Sequence, residues 1–290
     1  MNISIQKFLK SPLVKIFLGI LICIGIPLIL NKFALKPLFT TIGLEETVNR
    51  CIRFILNLLI LMPLLYWLLY NKLEKREITE LGRKGFMKDM LAGLLLSAGT
   101  ISFVLLILAL LGYYKIESFH PQMSLIPLFI VMISLVFVEE LLFRGIIYRI
   151  VEDSLGTNLS LIISGLLFGL FHITNESMNI QSFIAVMIGG MMVGIMFTYT
   201  KRLWMPLFFH FGWNFFQILY GVTLSGEEEF KTNALLKSSL KGPDIFTGGK
   251  FGPENSVITI VLTFLIFLAI YWLSFKKGKI IRYSIKNRTS

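Results

Sequence analysis

Six side chains able to take up protons or hydrogen bonds lie inside otherwise apolar stretches of this chain: Glu139, Glu140, Arg144, His172, His210 and Asn214. The first three fall within Phe137-Val138-Glu139-Glu140-Leu141-Leu142-Phe143-Arg144-Gly145. In a membrane-spanning helix each ionisable group costs about 2.5–3.5 kcal/mol near the centre, so it needs a partner or a purpose. At i,i+4 spacing Glu140 and Arg144 can pair along one face. Glu139 lies ~100° round the helix and finds no partner in the local sequence. A buried ion-pair staple accounts for Glu140 and Arg144, whereas Glu139 is left over as a candidate general base.

His172 ends the apolar run Phe168-Gly169-Leu170-Phe171-His172, and Gly165 and Gly169 form a small-xxx-small stripe that favours close helix packing. Such packing could bring His172 against the Glu139 helix. His210 and Asn214, again i,i+4, share one face amid Phe208, Phe209, Phe211, Trp213, Phe215 and Phe216. Lipid offers them no hydrogen-bond partners, so they form either an interhelical clamp or part of a site. His120, beside Pro121 in a loop, reads as a bystander.

Together these groups can do hydrolysis. A carboxylate and a histidine polarise water, and a His/Asn pair donates hydrogen bonds to the oxyanion that forms. No Ser or Cys stands in a nucleophile-elbow context, and no H-E-x-x-H is present. Glu139, His172 and His210 could still bind Zn²⁺ with an open position, so residue types alone leave the metal question open.

Positioning these groups falls to a membrane bundle. Of 290 residues, 55% are hydrophobic and 16% charged, with a mean hydropathy of +0.76. The excess is concentrated in long runs, which excludes a soluble enzyme, a disordered chain and a nucleic-acid-binding domain. Apolar runs cover 12–30, 53–70, 90–112, 125–148, 158–173, 181–200, 203–222 and 256–275, the fifth and seventh being weakest. The expected fold is an all-α polytopic bundle of about eight spans. The first run, Pro12 to Leu30, is too long for a signal h-region and reads as a retained helix.

The net charge of +11 is distributed unevenly. With the N-terminus inside, the cytoplasmic segments carry 18 Lys/Arg against 8 outside, counting Lys7, Lys10, Lys286 and Arg288 and leaving out Arg53 and Arg144 within spans. The positive-inside rule then places both termini in the cytoplasm. Cys23 and Cys51 lack metal-ligand spacing and read as small hydrophobes. Residues 223–255, Gly-rich with acidic Glu227, Glu228 and Glu229, read as a solvated mobile loop. The chain divides into 1–74 with two spans, a motif-bearing core at 75–222, and 223–290 with the polar loop, last span and basic tail.

Glu139-Glu140-x-x-x-Arg144, Phe168-x-x-x-His172 and His210-x-x-x-Asn214, in this order on separate spans, resemble the CAAX-protease and bacteriocin-processing family of intramembrane endopeptidases. The resemblance covers roughly 75–222, including Leu81-Gly82-Arg83. It implies a helical bundle with a conical cavity open to the membrane or cytosol. It also implies that Glu139 activates water with His172, that Glu140 holds the site through Arg144, and that His210 and Asn214 stabilise the tetrahedral intermediate. Phe168 supports the site structurally. Family members have been described both with and without metal; water activation without a cofactor is the expectation, and Zn²⁺ is the alternative.

The expected function is hydrolysis of a peptide bond in a membrane-associated protein or peptide, lipidated or otherwise membrane-anchored substrates included. The bilayer is its other partner, a multi-pass place in a bacterial plasma membrane its expected location, and nucleic acid is not a partner. The alternative is a non-catalytic bacteriocin-immunity or adaptor protein that binds a peptide or a membrane partner. A transporter is weaker, since no interrupted spans recur in matching halves.

Overall fold

The computed structural model describes residues 11–121 and 124–283; Lys7, Lys10, Lys286 and Arg288 of the charge count lie outside them. Its helices are α1 Pro12–Thr41, α2 Glu46–Glu74, α3 Phe86–Leu110, α4 Leu125–Leu155, α5 Thr157–Phe171, α6 Ile180–Thr200, α7 Trp204–Leu219 and α8 Val257–Lys276. All but α5 and α7 are long and apolar enough to cross a membrane. Those two, with 15 and 16 residues, are the runs that hydropathy ranked weakest. The protein is an all-α polytopic membrane bundle.

Local chemistry starts several of these helices. The Glu45 carboxylate accepts from the Thr47 and Val48 amides at the head of α2. Asn179 and Ser182 form a capping box at α6, and Ser256 caps α8 through the Ile258 amide. Outward faces are apolar, with Leu59, Leu95, Leu106, Leu110, Leu265 and Trp272 exposed, as lipid contact demands. Polar groups such as Ser97, Thr100, Glu140 and Arg144 are buried inside.

Among the described residues four helical stretches widen into π-type turns. Three of them, Ile20–Gly25, Asn31–Leu35 and Asn57–Leu61, are followed within two residues by Pro27, Pro37 and Pro63. A proline has no N–H and clashes with the preceding turn, which relaxes by widening. The fourth, Leu141–Tyr148 in α4, has no proline. There the Gly145 carbonyl accepts from Arg149 Nε at 3.0 Å and lies 2.8 Å from Tyr66 Oη, whose one proton it shares with Glu80 Oε1 at 2.9 Å. Side chains entering the backbone ladder account for the widening. It begins one residue after Glu140.

The bundle has two distinct ends. At one, Glu74 pairs with Lys15, Arg76 and Arg149, Glu80 with Arg76 and Arg149, Asp89 with Arg202 and Glu152 with Lys201. At the other, two segments read as loops pair over a long range. Strand β1, Tyr114–Phe119, runs antiparallel to β2, Leu236–Leu240, with an irregularity between Ile116 and Ser118. Both strands are short and their partners lie more than 100 residues apart, so neither has a local signal.

Segment 223–255 departs from the solvated loop expected of it. Phe251, Gly252, Pro253, Glu254 and Asn255 are buried, and the Gly226 amide donates to the Phe251 carbonyl. Gly252, with φ +105°, lies so close to the Thr223 carbonyl that a Cβ there would overlap it. Glycines supply backbone proximity, not mobility, at this point. Cys23 and Cys51 are both free thiols.

Candidate active site

Glu140 is fully buried on α4 and organises the site. Its Oε1 accepts from Arg144 Nη1 at 3.0 Å and from His210 Nδ1 at 2.8 Å. Arg144, also fully buried, donates through Nη2 to the Gly190 carbonyl on α6 at 3.0 Å and lies 4.6 Å above the Phe168 ring. One ion pair thus ties α4 to α5, α6 and α7. The i,i+4 pairing of Glu140 with Arg144 is as the spacing predicts.

Phe168 is the aromatic centre of the site. Its ring meets Phe143 edge-on at 5.1 Å, His172 at 4.7 Å and His210 edge-on at 5.7 Å. His172 caps α5, its Nδ1 lying 2.8 Å from the Phe168 carbonyl. A carbonyl only accepts, so Nδ1 carries the proton and Nε2 keeps its lone pair. Both histidines are therefore anchored through Nδ1 and leave Nε2 for chemistry.

The Gly165/Gly169 stripe does not pack on the Glu139 helix. Gly190 of α6 lies against Gly165, where a Cβ would come 3.2 Å from the Gly165 Cα, and Gly169 faces Phe183. The α4–α5 contact is made by Phe143 against Phe168 and Phe171 instead. His172 nevertheless lines the same cavity as Glu139.

Glu139, His172, His210 and Asn214 all lie on the wall of that cavity. Glu139 is partly exposed, and its Oε2 lies 3.7 Å from His210 Nε2. This is beyond direct hydrogen-bond range, so both atoms remain available to a third group. Asn214, one turn beyond His210, has only a weak 3.8 Å contact from its amide to Met132 Sδ. Its donors are nearly free. Among the described residues no three His, Cys, Asp or Glu side chains form a group that could hold a metal ion. His120 is exposed and contributes only its amide, to the Leu235 carbonyl.

Sequence reasoning passed over Glu254 and Ser225, which also line the cavity. Glu254 Oε2 accepts from Trp213 Nε1 at 2.9 Å and Gln217 Nε2 at 3.2 Å, and its Oε1 accepts from Ser225 Oγ at 2.5 Å. A signal existed: His210, Trp213, Asn214 and Gln217 recur at i, i+3, i+4 and i+7, a polar stripe requiring acceptors. Beside Glu254 and Ser225, Asn175 Nδ2 donates to the Ser225 carbonyl and Gln181 Nε2 to the Asn255 carbonyl, which ties the segment after α5 and the start of α6 to 223–255.

Residues 121–216 match the family model described as Rce1-like, type II CAAX prenyl endopeptidase. This segment is similar to that family. The matched segment contains Glu139, Glu140, Arg144, Phe168, His172, His210 and Asn214, and is narrower than the 75–222 suggested by the motifs. Glu254 lies outside it. No curated protein and no solved structure matches the chain. That similarity supports an intramembrane CAAX-type protease at family level.

Proposed function

We propose that the protein hydrolyses a peptide bond of a membrane-associated protein or peptide by water activated between Glu139 and His172. The observation carrying this reading is the convergence of Glu139, His172, His210 and Asn214 on one cavity wall from three helices. Glu139 takes the proton of the attacking water, and His172 Nε2, held by its Nδ1 bond to Phe168, shares or relays it. The developing oxyanion is met by the Asn214 amide and by His210 Nε2. With His210 Nδ1 donating to Glu140, Nε2 becomes a donor only on the doubly protonated ring, whose charge Glu139 and Glu140 balance. Glu140 and Arg144 act by position: they fix the His210 ring and join the helices.

The cavity lies toward the end of the bundle opposite the Lys/Arg clusters of 72–88, 201–202 and 276–282, since its wall includes Ser225 and Glu254 ahead of α8 and Ala185 and Val186 near the start of α6. By the positive-inside rule this end faces away from the cytoplasm of the bacterial plasma membrane expected for the chain, not toward the cytosol. Substrate would then arrive from the outer leaflet. Mass spectrometry of membrane peptides from cells with wild-type or Glu139→Ala protein tests the reading. Products that appear only with the wild type support hydrolysis. Full activity in the Glu139→Ala protein ends it, as does Glu139-independent protection against a peptide, which would favour the adaptor reading. Labelling of Ser225→Cys by a membrane-impermeant thiol reagent on intact cells tests the orientation.

A further inference from the structure

Five carboxylates are buried among the described residues: Glu80, Asp89, Glu140, Glu152 and Glu254. The first four each form an ion pair with Arg or Lys. Glu254 forms none. Its three donors, Trp213, Gln217 and Ser225, are all neutral. The α8 N-terminus, three residues on, supplies only a partial positive charge. A buried carboxylate without a counter-ion is costly unless something cationic arrives to complete it.

Glu254 faces the substrate cavity, and the other carboxylate there, Glu139, has no Lys or Arg partner either. Apart from His210 and His172, the rest of the cavity wall is apolar or neutral. We propose that Glu254 is a specificity-determining residue that receives a cationic group of the substrate peptide, either a Lys/Arg side chain or an N-terminal ammonium. The proposal rests on the peptide-binding role of the cavity proposed above. Trp213, which holds Glu254, lies three residues beyond His210, ~4.5 Å along the helix axis. Glu254 and the reacting groups line one cavity, so the cation is carried close to the reacting bond in the peptide. The cation would form a charge-assisted hydrogen bond with a carboxylate already oriented by three donors.

The probe is a set of fluorescent apolar peptides carrying a single Lys, Arg or norleucine at a scanned position, with free or acetylated N-terminus. Full-length wild-type and Glu254→Gln proteins in nanodiscs are compared for peptide affinity and for cleavage. Wild type should favour cationic over neutral peptides by at least about tenfold, which corresponds to about 1.4 kcal/mol. Glu254→Gln should lose that preference while neutral peptides bind as before. Acetylation abolishing the preference identifies the terminal ammonium; norleucine abolishing it identifies the side chain. A wild type blind to peptide charge overturns the proposal, as does a preference retained in Glu254→Gln. Equal weakening toward all peptides overturns it too, because that is the result of a purely structural role. Glu139→Gln, scored by affinity, must keep the preference; losing it would assign the selectivity to Glu139 and overturn the proposal even if Glu254→Gln failed to fold. Charge-selective binding without cleavage would sink the hydrolytic reading alone.

Discussion

At the basic end of the bundle every buried carboxylate is matched with a cation, often by more than one hydrogen bond. Around the cavity, Glu139 and Glu254 are not. The two regions are built from similar residues, and what separates them is whether charge is closed off or left open toward a ligand. Closed networks join elements: Glu74 links α1, the segment after α2 and α4 through Lys15, Arg76 and Arg149. Open carboxylates contribute little to folding and are retained at a cost. Such locally uncompensated groups mark where a protein's structure is shaped by something other than stability.

The largest effect expected from this contrast is on catalysis. Glu139→Gln should lower kcat/KM by about 10²–10⁴-fold, while thermal unfolding in detergent moves little. A large loss of stability would place Glu139 with the closed networks and erase the distinction. Next comes Arg144→Leu, which strands Glu140 without its guanidinium in a fully buried position. A destabilisation of about 3–5 kcal/mol is expected from denaturant unfolding. Arg149→Leu at the basic end should cost less, about 1–3 kcal/mol, since Glu74 and Glu80 both retain Arg76. Equal losses would show that redundancy at that end contributes nothing.

A smaller effect is expected with pH. Burial works against the Glu80 charge, but hydrogen bonds and attraction from Arg76 outweigh it and hold the carboxyl below the ordinary glutamate value of 4.5. Its folded value is thus below its unfolded one. The contribution to stability is complete above the unfolded value and is lost as pH falls through the folded value. Unfolding midpoints measured from pH 6 downward should drop on the acid side, and Glu80→Gln should flatten the drop. The smallest change expected is from chelation. Prolonged exposure to a permeating chelator should leave most cleavage in place; metal that is stoichiometric, and lost and regained in step with activity, would replace water activation by Glu139 and His172 with a Zn²⁺ site.

Much of this arrangement was legible in the sequence because it is local. Glu140 with Arg144 and His210 with Asn214 follow from helical spacing, and the apolar runs locate each helix to within a few residues at most ends. The exceptions are physical. Helix α1 continues past Leu30 to Thr41, since Asn31, Lys32 and Lys36 interrupt its apolarity but not its helix. Gly165 signals close approach but does not name the partner, which is Gly190 and not α4. Residues 223–255 are polar and rich in glycine, a composition shared by mobile loops and by segments threaded tightly against other backbone. Only long-range contacts separate the two, so Glu254 came to light through Trp213, Gln217 and Ser225.

The Gly145 carbonyl carries a further consequence. It lies against Tyr66 Oη of α2 as well as Arg149 Nε, and the widened turns of α4 around it begin next to Glu140. Residues 1–74 lie outside the matched segment, yet this one phenol reaches the backbone between the Glu140/Arg144 pair and the basic end. Removing it as Tyr66→Phe leaves the ring and deletes the wedge. If α4 then rewinds to ordinary turns, the helix beyond Gly145 rotates relative to Glu140, and Arg149 swings away from Glu74 and Glu80. Helix α2 would thus work as a torsional stop for the helix that carries Glu139 and Glu140, setting its winding as well as its place in the membrane.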